Sequence, residues 1–150
     1  MLTLDKDLDR LLDTLSETGK PFFSYFHFMI RHPPLLYDSN GKENSVKDMY
    51  FFNGHQKRIE KYTSYARYGN KKIMGLVEKI FAKAGKKVII ILQGDHGFWE
   101  FYADFPDAAR YGILNSVYLP NINYINFNDT MNPVFTFKQI LRNQFNNVLP

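Results

Sequence analysis

Residues 86–99 read KKVIIILQGDHGFW and set a carboxylate beside an imidazole at Asp95 and His96. A carboxylate oxygen and an imidazole nitrogen are both donors for a divalent cation such as zinc. Gly94 and Gly97 flank the pair, and glycine tolerates unusual backbone angles that would let both side chains turn to one point. The same residues also suit a plain turn in which Asp95 accepts backbone N–H groups. Spacing alone leaves both readings open. A catalytic zinc typically has about three protein ligands plus a water, so two donors need completion from elsewhere.

The next candidates lie in FHFMIRHPPLLYD. His32 stands directly before Pro33-Pro34, where the backbone is restricted. That favours a held, accessible imidazole, either as a ligand or as a group that exchanges protons near neutral pH. His27 falls inside an apolar run and reads equally as a ligand or as a hydrogen-bonded core histidine. Arg31 could pair with an oxyanion or simply face solvent. Asp38 in YDSNG suits a local turn, and His55 in FNGHQKR suits the start of a helix. Thr136 would be a nucleophile only with a base beside it; capping or packing is the plainer role. With no cysteine in the chain, disulfides, thiolate metal sites and cysteine nucleophiles are excluded.

These residues need elements to position them. Leu2, Leu4, Leu8, Leu11, Leu12 and Leu15 predict a helix over 4–18. PFFSYFHFMI reads as an aromatic-rich strand over 21–30, followed by a loop rich in Pro-Pro and Asn-Gly. Ile59, Tyr62, Ala66, Ile73, Leu76, Val77, Ile80 and Phe81 recur at helical steps over 56–83. Gly69 and Gly75 weaken its middle, and Gly85 is a stop signal. Val88–Leu92 is an unbroken aliphatic run, which predicts a central strand with both faces covered. YGILNSVYLP predicts another strand over 111–120, and NPVFTFKQILRNQF a last helix capped by Asn132, with Pro133 in its first turn. Strands alternating with helices indicate an α/β layer arrangement, in which ligands gather at the carboxyl ends of strands. Three strands are few for a doubly covered sheet, so the chain reads as part of one.

Composition bounds the function. The 150 residues are 45% apolar and 17% aromatic, ample for one domain's core. A net charge of +4, from 19 basic and 15 acidic residues, is mild and fits an anionic substrate or nothing in particular; a nucleic-acid binder would need the Lys and Arg residues of 57–87 to line one surface. No apolar run is long enough to span a membrane, and MLTLDKDLDRLLD is too charged for a signal peptide. There are no repeats and no internal linker, which indicates a single unit over 1–150. The segment FWEFYADF around Trp99 is apolar for a loop and suits a pocket wall, a partner surface or a contact with further parts of the domain.

Four stretches in order, FFSYFHFMIRHPPLLYD, VIIILQGDHG, YGILNSVYLP and NPVFTFKQILRNQFNNVLP, resemble the C-terminal part of sulfatase-like proteins of the alkaline phosphatase superfamily. The resemblance runs from about residue 21 to 150 and is nearest to membrane-anchored bacterial members akin to the phosphoethanolamine transferases. It implies a partial alkaline-phosphatase-like three-layer α/β sandwich, a few-stranded sheet flanked by helices. It implies a divalent metal, zinc foremost and manganese or calcium as alternatives, with Asp95 and His96 as ligands. His32 would inherit a catalytic or substrate-binding position, with His27 and Arg31 also toward substrate. The implied substrate is a phosphate or sulfate ester, and the implied location is the periplasmic or extracellular face of the cytoplasmic membrane, with membrane helices upstream of Met1.

The departures from the family's pattern carry equal weight. The family's nucleophile and an acidic ligand precede this region, yet the sequence has no Cys-x-Pro-x-Arg, and residues 1–20 read as a helix. No histidine follows His96, although some transferases carry one. The expectation is therefore a C-terminal portion of a longer enzyme, with little activity alone. The other reading is a non-catalytic binding module of the same ancestry.

Overall fold

The computed structural model describes residues 10, 13, 23–30, 32–50, 55–98 and 111–145. They belong to two compact units, Met1–Gly85 and Lys86–Pro150. The expected helix over 4–18 lies outside the described residues apart from Arg10 and Asp13, both helical.

The described residues of the first unit include two helices with defined bounds, α1 (Val46–Tyr50) and α2 (His55–Ala84). Ser45 opens α1: its Oγ accepts the N–H of Asp48 at 3.3 Å and donates to the Asp48 carboxylate at 2.8 Å, a reciprocal cap. The 30 residues of α2 run without a break, although two internal glycines weaken its local propensity. Packing explains one of them. A Cβ at Gly69 would collide with Ile30, so the missing side chain is what lets Ile30 lie against the helix. Gly85 ends the helix at φ 66°, the left-handed conformation that glycine adopts without steric cost. Leu76 is buried, with Phe28 and Ile80 packed against it.

The loop between Pro33 and Asn44 clasps α2. Leu35 is buried, and its carbonyl accepts from the Asn44 side chain at 2.7 Å. Tyr37 and Glu43 form an isolated bridge closed by a tight turn at Gly41, φ 83°. Tyr37 meets Tyr68 of α2 with ring centroids 4.9 Å apart, and Tyr65 stacks on Tyr68 at 6.2 Å. Ser39 N–H donates to Ser64 Oγ at 2.8 Å, and Lys71 Nζ donates to Ser39 O at 3.0 Å. These contacts turn what the sequence marks as irregular loop into a held structure.

The strand expected over 21–30 is not one. Residues 23–30 enter no sheet, and Phe23 and Tyr25 are 71% and 76% exposed. Aromatic propensity becomes a strand only where a neighbouring strand takes up the backbone hydrogen bonds, and none of the described residues does so here. His27 is consequently exposed, which corrects the core-histidine reading.

In the second unit, β1 (Ile90–Gln93) pairs antiparallel with β2 (Asn115–Tyr118), Ile90 opposite Tyr118 and Gln93 opposite Asn115. α3 (Pro133–Phe145) completes the α/β arrangement. A two-stranded ribbon is marginal in water by itself; buried Leu119 and Ile140 and the near-sealed Thr136 give this one a core. Asn132 Oδ1 accepts the N–H of Val134 at 2.9 Å, the expected cap. The sheet is smaller and wetter than the aliphatic run implies. Ile90–Leu92 are only partly buried, and among the described residues β1 pairs with β2 alone, where the sequence calls for a central strand with both faces covered. The turns after β2 are tied back to the helix: Asn143 Nδ2 donates to Ile125 O at 2.9 Å.

Candidate functional site

β1 ends at Gln93 and delivers Gly94, Asp95 and His96 directly after it. Gly94 N–H donates to Leu114 O at 2.8 Å, continuing the ladder one residue past the strand. Gly94 does not use a left-handed backbone, and a Cβ there would meet only ordinary contacts, the nearest being Leu114 N at 3.5 Å. The expectation that glycine freedom at this position aims the pair is therefore corrected. Hydrogen bonds aim it.

Asp95 Oδ1 accepts the backbone N–H of His96 at 3.0 Å, and Asp95 Oδ2 lies 3.9 Å from His96 Nε2. His96 Nδ1 lies 2.7 Å from Gly97 O. A carbonyl oxygen only accepts, so Nδ1 carries the proton and donates it. In the neutral ring Nε2 then holds the lone pair, on the side facing Asp95. Two donors on one tetrahedral zinc at about 2.1 Å each stand about 3.4 Å apart. Asp95 Oδ2 and His96 Nε2, at 3.9 Å, are somewhat wider than that spacing, and both side chains are exposed and open to solvent. The donor chemistry thus fits a divalent cation held by one carboxylate oxygen and one imidazole. Among the described residues no group of three His, Cys, Asp or Glu side chains comes together to hold a metal.

Behind the turn stands a polar relay that the sequence does not announce. Gln93 Nε2 donates to Asn115 Oδ1 at 3.3 Å and to Pro133 O at 3.2 Å. Asn115 Nδ2 donates to Thr136 Oγ1 at 3.0 Å. Thr136 is 1% exposed, so its role is packing and hydrogen bonding. The only hint in the sequence is an Asn and a Thr set within otherwise apolar stretches.

The remaining candidates lie in the first unit. His32 is exposed, and its Nδ1 donates to Pro33 O at 2.8 Å, the same arrangement as His96 with Gly97 and with the same consequence for Nε2. Asp38 makes the local turn: Oδ1 accepts from Asn40 N at 2.8 Å and Lys42 N at 3.0 Å. Those backbone hydrogen bonds, Lys42's first, hold its carboxyl below the ordinary value. His55 is the first residue of α2. Arg31 and Trp99 lie outside the described residues, as does most of the apolar loop that follows Phe98. No helix among the described residues is long and apolar enough to cross a membrane.

Comparison with known protein families gives a match. The sulfatase family model covers residues 3–130 of this chain. No curated protein and no solved structure matches it.

Proposed function

The chain belongs to the sulfatase family, and from that premise we propose that it forms the Asp-His-bearing portion of a metal-dependent phosphoric or sulfuric ester hydrolase or phosphoryl-group transferase. Asp95 and His96 hold a divalent cation, zinc foremost and manganese or calcium as alternatives. Such an ion polarises a phosphoryl or sulfuryl oxygen and lowers the pKa of an attacking group. The observation that carries the reading is the pairing of Asp95 Oδ2 with His96 Nε2 at 3.9 Å, with Nδ1–H committed to Gly97 O. A ligand histidine usually donates its second nitrogen in this way, which fixes the ring and raises its basicity.

His32 is assigned to the ester or a second metal, and His27 and Arg31 to substrate; His32 Nδ1 donates to Pro33 O. That assignment rests on the family resemblance. The nucleophile lies outside residues 1–150, so the chain alone turns over little ester. The working location is the periplasmic or extracellular face of the cytoplasmic membrane.

Calorimetric titration with Zn²⁺ tests the site. Asp95→Asn and His96→Gln are each expected to weaken binding at least about 10-fold, the order of loss seen when a metal site is disturbed. Affinity unchanged in both variants would remove the pair as ligands.

A second reading, a non-catalytic interaction module of the same ancestry, draws on the exposed Phe23, Tyr25 and Met29. It expects chain 1–150 to bind a protein partner through that segment, with affinity reduced by Phe23→Ser and untouched by Asp95→Asn.

A further inference from the structure

The turn that carries Asp95 and His96 is only as well placed as the strand end that precedes it. That end is held by side chains as well as by the ladder. Gln93 spans from β1 to Asn115 on β2 and to the Pro133 carbonyl in the first turn of α3. Asn115 passes the connection on to Thr136, whose side chain is sealed from solvent. The direction of the relay is fixed by chemistry. Gln93 offers a donor, so Asn115 must present its carbonyl there, which leaves its amide to donate to the Thr136 hydroxyl oxygen. Turning the Asn115 amide over would set donor against donor at Gln93.

We propose that Asn115 and Thr136 are positioning residues for the Asp95–His96 turn, acting through Gln93 to lock the end of β1 against β2 and α3. This rests on the reading of Asp95 and His96 as cation ligands. Neither residue touches the ion or the substrate. Loss of Asn115 leaves the buried Thr136 hydroxyl without this donor, and loss of Thr136 leaves the part-buried Asn115 amide without its acceptor; either frees the strand end just before the donors, so the cost falls on the geometry of the turn. Outer-shell partners of this kind typically change metal affinity about 10–100-fold when removed.

The test compares Thr136→Val, Thr136→Ser and Asn115→Leu with wild type, using Asn132→Ala as the control. The control weakens α3 by removing its cap while leaving the relay intact. Two readouts need no turnover: the Mn²⁺ dissociation constant, and NMR of the His96 ring tautomer together with exchange of the Gly94 amide. Expected are about 10-fold weaker Mn²⁺ binding, faster Gly94 exchange and a mixed His96 tautomer in Thr136→Val and Asn115→Leu. Thr136→Ser should restore all three, and Asn132→Ala should leave the tautomer unchanged. Wild-type tautomer and Gly94 exchange in Thr136→Val and Asn115→Leu would overturn the relay. If Asp95→Asn leaves Mn²⁺ affinity unchanged, the cation reading fails, and the NMR readouts still decide whether the relay positions the turn.

Discussion

Asp95 Oδ1 accepts the His96 backbone N–H at 3.0 Å, which leaves Asp95 Oδ2 3.9 Å from His96 Nε2. The first contact orients the carboxylate, and the bond from His96 Nδ1 to Gly97 O at 2.7 Å orients the ring. Both side chains are therefore oriented by hydrogen bonds within the turn itself.

The two glycines inside α2 should respond in opposite directions to alanine. Gly75 has open space around a new Cβ, so Gly75→Ala is expected to stabilise by about 1 kcal/mol through helix propensity. At Gly69 the new methyl would strike Ile30, a β-branched side chain with little freedom to move. Overpacking costs typically about 1–3 kcal/mol, so Gly69→Ala is expected to lower stability despite its better propensity. Chemical denaturation of both variants checks the pair; equal shifts would mean that Ile30 does not pack there.

Asp38 gives the loop against α2 an acid limit. Its folded pKa lies below the ordinary 3.8, chiefly through the Lys42 and Asn40 backbone bonds. A depressed carboxyl contributes stability that is present above its unfolded value and is lost as pH falls through the folded one. The amide signals of Asn40 and Lys42 should thus titrate together in NMR, with a midpoint below 3.8. A midpoint at or above that value would show that the turn bonds are not made in solution.

Much of this architecture is legible locally. The α2 repeat, the Gly85 stop and the Asn132 cap depend on residues within a turn or two of one another, and each appears where the sequence puts it. Pairing is different. FFSYFHFMI has strand propensity, but a strand exists only within a sheet, and residues 23–30 enter none. For the same reason Val88–Leu92 reads as fully covered, whereas Ile90–Leu92 are half-buried in a two-stranded sheet. The Asp95–His96 pair was visible in the sequence as donor chemistry. The relay behind it was not, because Gln93, Asn115 and Thr136 are brought together by the fold across 43 positions of chain between Gln93 and Thr136.

Tyr65 sets an alkaline limit on the first unit. Burial, then the neighbouring Tyr68 and Tyr37, raises its pKa above the ordinary 10.0. A raised value means that the neutral phenol's contribution is complete below the unfolded value and is lost as pH rises through the folded one. In an ultraviolet titration Tyr65 should ionise after the exposed tyrosines, and Tyr65→Phe should remove that late portion of the absorbance change. Loss of an early portion instead would place Tyr65 in solvent.

The most direct test of the cation site is where an ion lands. Mn²⁺ added to the wild-type chain broadens NMR signals steeply with proximity, so it reports position as well as affinity. The expected result is broadening centred on the amides of Gly94–Gly97 and the His96 ring, and its disappearance in Asp95→Asn. Broadening centred elsewhere, or unchanged by Asp95→Asn, would contradict a metal site at Asp95 and His96.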